Sequence, residues 1–313
     1  MYRNLLIYLT HPDVEAWNSK SRHRERILQA FPGLEVKICL HLQEFLKELP
    51  NAEVVIVWYF KKQWLEEANQ LRMIATPAAG RDWIDVELDE KLKVIHGGFH
   101  GPMIAESVIG AMLYFCKAFE LSRNLQSLKK WGRVKLSQKI RSLQGAKVTI
   151  FGFGKIGQEI GRKLKPFGCV LTGIKRRPAK VLPEYFGELD NLVSLDDSLE
   201  EILRQTDHLI LTLPGGHETN GMMTRERLGF LSRDCYLYNV GRGNAYQPED
   251  LVDALQVIAG AYLDVFESEP LPKGSPLWGV KNALIQPHLS AVSPQYLDLF
   301  FEEWIKNIKE GLI

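Results

Sequence analysis

Residues 147–177 read KVTIFGFGKIGQEIGRKLKPFGCVLTGIKRR: an apolar run Val148–Phe151, a spaced turn Gly152-x-Gly154-x-x-Gly157, a helical pattern from 155 to about 166, and a second apolar run Val170–Ile174. Strand, glycine turn, helix and strand make a βαβ unit, which commits the chain to a parallel sheet with helical crossovers. Each glycine has its own task. Gly152 permits the tight turn, Gly154 lets backbone amides approach a ligand's phosphates, and Gly157 lets the helix pack closely on the strand. The helix N-terminus adds partial positive charge, so Gly152, Phe153, Gly154, Lys155, Ile156 and Gly157 are candidates to hold a dinucleotide pyrophosphate. A helix-packing loop with no nucleotide is the alternative.

After the second strand, where an acid would bond the ribose hydroxyls and repel a 2′-phosphate, stand Lys175, Arg176 and Arg177. They offer charge-assisted hydrogen bonds to that phosphate. The run therefore points to NADP(H) over NAD(H), with NAD(H) still possible; a solvated basic turn is the other reading.

The same alternation extends along the chain. From 1 to 100, apolar runs at Leu5–Leu9, Val36–Cys39, Val54–Trp58, Leu71–Ala75 and Val94–His96 are separated by helical stretches at 20–31, 42–49 and 62–70. A long helical pattern near 102–130 is apolar on more than one face. From Gly145 onward, six strands alternate with helices, ending at Ala283–Gln286, and the amphipathic tail 294–313 is expected to return to the first region. The expected fold is α/β with two doubly wound parallel-sheet domains: a Rossmann dinucleotide domain over 101–289, and a smaller discontinuous flavodoxin-like substrate domain, 1–100 plus 290–313.

Composition removes other classes. With 313 residues, 45% hydrophobic, 25% charged and a formal net charge of +1, nothing global draws the chain to nucleic acid or an anionic membrane. Ser21-Arg22-His23-Arg24-Glu25-Arg26 is a local basic run, expected to be a solvated helix face. Cys39, Cys116, Cys169 and Cys235 lie far apart, so neither a zinc site nor a disulfide framework is suggested, and a cytoplasmic protein is expected. The start, Met1-Tyr2-Arg3-Asn4 and Leu5–Leu9, is too short for a secretory apolar core, and no apolar run reaches the roughly 18 residues of a membrane span. His96 and His100 are four apart, but intervening glycines argue for a hinge over a metal site.

Three further stretches put chemistry at strand ends. LYNVGRGNAYQPEDL (237–251) places Arg242 between two glycines read as freeing its backbone to follow a ligand surface; GAYLDVFESEPLPKGSPLW (260–278) carries Asp264 and Glu269; ALIQPHLSAVSP (283–294) ends a strand at Pro287-His288. Carboxyl ends of parallel strands line the ligand crevice of such sheets, so all three reach one cleft.

With these motifs, and with TPAAGRDWID (76–85), GPMIAESVIGAM (101–112), LPGGHETNGMM (213–223) and PHLSA, the sequence resembles the D-2-hydroxyacid dehydrogenase family over essentially its whole length. The resemblance implies that Arg242 binds the substrate's carboxylate and carbonyl, His288 moves the proton and Glu269 pairs with it. It also implies cofactor contacts at Leu213, Pro214, Thr219, Val240, Gly241, Arg242, Asp264, His288 and Ser290. Asp264 either caps its strand end or serves the nicotinamide end, directly or through the loop. Ala78-Ala79-Gly80 resembles the family's carboxylate-binding loop, though a simple turn reads as well; Ala79, Gly80 and Trp58 are the substrate-side candidates, with Trp58 either a pocket wall or core. Arg81 and Trp83 depart from the family's common pattern.

The chemistry of 2-oxo acid reduction suits those residue types. Arg242 has a planar fork for a carboxylate, His288 is an acid usable near neutral pH, and Glu269 orients its ring; no metal is required. The expected function is an NADP(H)-preferring 2-oxoacid reductase for a small substrate such as glyoxylate or hydroxypyruvate, working as a homodimer. The alternatives are a dehydrogenase for a larger 2-hydroxy acid and a nucleotide-sensing scaffold like the corepressors that resemble this family.

Overall fold

The computed structural model describes residues 2–87, 92–177 and 181–312. The chain divides into two compact units, Met1–His100 with Val292–Ile313, and Gly101–Ala291.

In the first unit the chain runs β1 (Asn4–Tyr8), α1 (Ser21–Ala30), β2 (Glu35–Ile38), α2 (Leu42–Glu48), β3 (Val54–Val57), β4 (Met73–Thr76) and β5 (Lys93–His96). All strand pairs are parallel, in the order β2-β1-β3-β4-β5. β3 and β4 are buried at every position, which is why they read as unbroken apolar runs rather than as alternation. The stretch expected as a helix at 62–70 forms only a 3₁₀ turn at Lys62–Glu66. Its one buried residue, Trp64, docks edge-on to the Phe45 and Phe60 rings, and a single anchor makes no helical stripe.

The second unit opens with α3 (Gly101–Cys116), α4 (Phe119–Ser127) and α5 (Arg133–Lys139). The long helix expected near 102–130 is broken at Ala118, whose φ of 51° no right-handed helix accommodates. α3 packs into a core with Val148, Ile150, Ile160 and Tyr238. Then follow β6 (Lys147–Phe151), α6 (Lys155–Leu164), β7 (Val170–Lys175), β8 (Asn191–Ser194), α7 (Glu200–Arg204), β9 (His208–Leu211), α8 (Arg225–Gly229), β10 (Tyr236–Asn239), α9 (Pro248–Ala254), β11 (Gly260–Leu263) and β12 (Ala283–Ile285). The parallel sheet has the order β12-β11-β10-β9-β6-β7-β8. Among the described residues it holds seven strands rather than six. β8 escapes a sequence reading because it is a four-residue edge strand with no fully buried position.

The closing helix, α10 (Tyr296–Lys309), belongs to the first unit and packs on α1. The basic run of α1 is therefore not simply a solvated face. His23 is buried with its ring 5.0 Å from Phe301, Arg22 grips Asp298 through two hydrogen bonds of 3.1 and 2.9 Å, and Arg26 meets Glu302 at 3.2 Å. No single helix among the described residues is long and apolar enough to cross a membrane.

Candidate active site and nucleotide cleft

Strand order reverses at β6, which lies between β9 and β7, so the crevice at the carboxyl ends opens over the glycine turn. Gly152 has φ +103°, and a Cβ there would sit 2.9 Å from the Thr212 backbone. A Cβ on Gly157 would stand 2.8 Å from the Gly152 carbonyl oxygen, whereas one on Gly154 would approach nothing closer than 4.0 Å. Two of the glycines are thus demanded by packing, and the third faces the space a pyrophosphate needs. The turn is anchored by the Gly152 and Phe153 amides, both donating to the Ile174 carbonyl (3.0 and 2.9 Å), and by the Thr212 hydroxyl, donating to the Gly152 carbonyl (2.6 Å).

Those bonds sort the candidates. The Phe153 ring is 1% exposed and fills the room left by Gly173, where a Cβ would come within 2.6 Å of the ring. Its amide is committed to Ile174, and the Gly154 amide donates to Gly152 at 2.7 Å. The amides of Lys155, Ile156 and Gly157 open α6 and have no carbonyl four residues back within it, so they are the donors available to a phosphate. The cradle fits a dinucleotide.

Lys175 ends β7, and Arg176 forms an ion pair of 2.7 Å with Glu218 in the loop after β9. In that loop Thr219 is buried and donates to the Pro214 and Gly216 carbonyls (2.6 and 3.1 Å), while Leu213 is buried in the core.

Arg242 follows β10, and its loop is shaped by Asn239 at the end of that strand. The fully buried Asn239 amide donates to the Arg242 carbonyl (3.0 Å) and accepts from the Gly241 amide (3.1 Å). The glycines flanking Arg242 have a different reason from the backbone freedom expected of them. A Cβ on Gly241 would lie 2.5 Å from the Leu213 carbonyl oxygen, and one on Gly243 would lie 1.9 Å from the Phe266 backbone. They let neighbouring loops touch. Val240, also buried, donates its amide to Leu211.

Glu269 and His288 meet directly, Oε2 to Nδ1, at 2.8 Å. The other carboxylate oxygen accepts the Phe266 amide at 2.9 Å, so the group is held at both oxygens. Burial alone would raise the Glu269 pKa. The hydrogen bond and charge of His288, the Phe266 amide and the charge of Arg242 outweigh it and hold the carboxyl below the usual 4.5. With Nδ1–H donated to Glu269, Nε2 is the ring atom left to exchange a proton.

Asp264 is fully buried after β11 and organises the His288 loop. Its carbonyl accepts the His288 amide (2.8 Å), while its carboxylate accepts the amides of Leu289 (2.8 Å) and Ser290 (3.0 and 3.1 Å). His288 has φ 56°, a left-handed conformation that costs a non-glycine residue on the order of 1–2 kcal/mol. The bonds of Asp264 to the three successive amides hold the loop in that conformation. Asn239, Thr212 and Glu218 are the residues a sequence reading passes over. The first two carried a signal, a polar side chain at the end of an apolar strand.

In the first unit the substrate-side candidates lie at the carboxyl edge of its own sheet. Trp58 follows β3 and Ala78-Ala79-Gly80 follow β4. The Thr76 hydroxyl ties them, donating to the Trp58 carbonyl at 3.3 Å and accepting from the Ala78 amide at 3.2 Å. The Trp58 ring packs on Trp17 and Tyr296, with centroids 5.6 and 6.0 Å away, and its N–H donates to the Trp17 carbonyl.

Comparison with known proteins places the sequence and the fold. Residues 109–290, more than half of the chain, match the sequence model for the D-isomer specific 2-hydroxyacid dehydrogenase, NAD binding domain. A D-3-phosphoglycerate dehydrogenase of Methanocaldococcus jannaschii is 29% identical over 276 residues, covering 85% of this chain. The chain spans only about half, 51%, of that relative's length. A glyoxylate reductase of Thermococcus onnurineus is 28% identical over 297 residues, 90% of this chain and 81% of the relative. The crystal structure of a D-isomer specific 2-hydroxyacid dehydrogenase from Xanthobacter autotrophicus Py2, in complex with NADPH and MES, superposes with a TM-score of 0.76 at 26% identity, covering 99% of this chain and 96% of the other.

Proposed function

The chain belongs to the D-isomer specific 2-hydroxyacid dehydrogenase family, whose members are NAD(P)-dependent oxidoreductases, and from that premise we propose that it is an NADP(H)-preferring reductase of small 2-oxo acids such as glyoxylate or hydroxypyruvate. The observation that carries the reading is the Glu269–His288 pair at 2.8 Å, in the same unit as the glycine cradle and Arg242.

When bound, the nicotinamide supplies the hydride that reduces C2. Arg242 neutralises the substrate carboxylate and polarises the carbonyl through its planar fork. His288 delivers the proton from Nε2 to the carbonyl oxygen, and Glu269 stabilises the charged ring before that transfer and keeps the Nδ1 proton in place afterwards. In the oxidative direction the neutral ring takes the hydroxyl proton back through Nε2.

NADP(H) preference rests on Lys175, Arg176 and Arg177 at the ribose end of the cleft, and the Xanthobacter relative was solved with NADPH. We assign Trp58, Ala79 and Gly80 to substrate binding; Trp58, fixed by its ring contacts and its N–H bond, is a rigid wall suited to a small side chain. A cytoplasmic homodimer is part of the proposal, supported by four free buried thiols and by exposed apolar side chains around α4 and α5.

The test is oxidation of NADPH and of NADH by a panel of 2-oxo acids, followed by nicotinamide absorbance. The expected outcome is turnover of the smallest acids with NADPH, and loss of NADPH affinity well beyond that of NADH on replacing Arg176 and Arg177 together with alanine. Cofactor binding without turnover of any acid would support the scaffold reading instead. Equal losses for both cofactors would remove the NADP(H) assignment.

A further inference from the structure

β7 and β9 are not neighbours. β6 lies between them, and two strand spacings amount to about 10 Å. The Arg176–Glu218 pair joins the turn after β7 to the loop after β9, so it links the two flanks of β6 at the carboxyl edge of the sheet. Both sides are held in place. The Ser194 hydroxyl donates to the Arg176 carbonyl and the Leu195 amide to that of Lys175, while Thr219 fixes the loop carrying Glu218.

Glu218 thus holds an acid against the basic run, and it comes from the turn His217–Thr219 after β9, not from the end of β7. Its pKa is lowered, first by the hydrogen bond from Arg176 and then by the charges of Arg176 and Arg177, so it is a carboxylate at neutral pH. A 2′-phosphate seated on Arg176 displaces Glu218 from its partner and places two anions side by side. A ribose 2′-hydroxyl carries no charge and meets neither cost.

Resting on the cofactor reading above, we propose that Glu218 is a specificity-determining residue of the nucleotide cleft: it competes with the 2′-phosphate for Arg176 and limits the NADP(H) preference that the basic run confers. Arg176 and Glu218 side chains are 64% and 72% exposed, so the effect has the size of a surface ion pair.

The probes are adenosine 2′,5′-bisphosphate and AMP, which differ at the ribose alone, with NADPH and NADH as full-length counterparts. Dissociation constants are measured by calorimetry for wild type, Glu218→Gln, Arg176→Ala and the double variant. Glu218→Gln tightens the bisphosphate and NADPH by about two- to fivefold and leaves AMP and NADH unchanged. The gain shrinks in the Arg176→Ala background and fades near 1 M salt, where the screening length is about 3 Å. An unchanged or weakened bisphosphate affinity in Glu218→Gln overturns the proposal, as does an equal shift for AMP. If wild type binds NADH more tightly than NADPH, the cofactor reading falls, while the bisphosphate comparison still decides the role of Glu218.

Discussion

In the proposed reaction, Glu269 is expected to set an acid limb in the pH dependence. Its carboxyl is held below the usual 4.5, so on acidification it protonates at a lower pH than an ordinary glutamate. Function that needs the carboxylate is therefore present above the lowered value and lost as pH falls through it. Reductive kcat/KM should show an acid limb at lower pH than an ordinary glutamate would give, whereas Glu269→Gln, which has no carboxyl to protonate, should lose that limb and fall on the order of 10²-fold at neutral pH. A variant that keeps the limb would place its origin elsewhere. His288→Ala should cost about 10²–10⁴-fold in turnover with NADPH affinity preserved, measured by steady-state kinetics and cofactor titration. At this scale the residues of the pair, with Arg242, were legible because their order and their strand-end positions are local properties. What supports them was not. Asp264 reaches Ser290 across 26 residues, and Gly243 is required by Phe266, contacts that close only through the folded chain.

Elements were legible where burial is periodic or continuous, as in β3 and β9, and missed where it is neither, as in β8. The split between α3 and α4 was hidden because alanine is a strong helix former, yet Ala118 takes a left-handed conformation. Packing among α3, β9 and β10 has a testable consequence. His208 on β9 is buried, with Nδ1 3.0 Å from the Tyr238 hydroxyl of β10 and Nε2 3.8 Å from the Cys116 sulfur of α3. Burial pushes its pKa from 6.5 down to about 4, against a small opposing effect of Asp207. The unfolded chain therefore takes up this proton before the folded one does. The stability owed to neutral His208 is complete above about 6.5, declines as pH falls toward about 4 and is gone below it. The shift corresponds to about 3 kcal/mol. Urea unfolding at pH values near those two ends should show wild type losing more stability than His208→Asn by roughly that amount; equal losses would clear His208 of the effect.

For the whole molecule, the fold class was written in the alternation of strands and helices, but strand order was not, because sequence does not say on which side of β6 each crossover lands. Nor does sequence say which apolar side chains remain uncovered. Phe119, Leu128, Trp131, Val134 and Ile140 are 53%, 63%, 88%, 70% and 44% exposed, all between the start of α4 and the residue after α5. Such a concentration on one stretch is what the proposed homodimer would need, since scattered single exposures are ordinary and clustered ones are not. A second copy of the chain is the partner in the proposed homodimer, and a twofold axis would let the same stretch of each copy cover the other. Replacing Trp131 and Val134 with aspartate would put two charges into that contact, each needing desolvation without a counter-ion. Light scattering after size exclusion should then give the mass of two chains for wild type and one for the variant at micromolar concentration. The variant should keep a cooperative thermal transition, because neither side chain contributes to the core of its own unit. A monomeric wild type would refute the dimer, and an unaltered mass in the variant would move the interface away from α4 and α5.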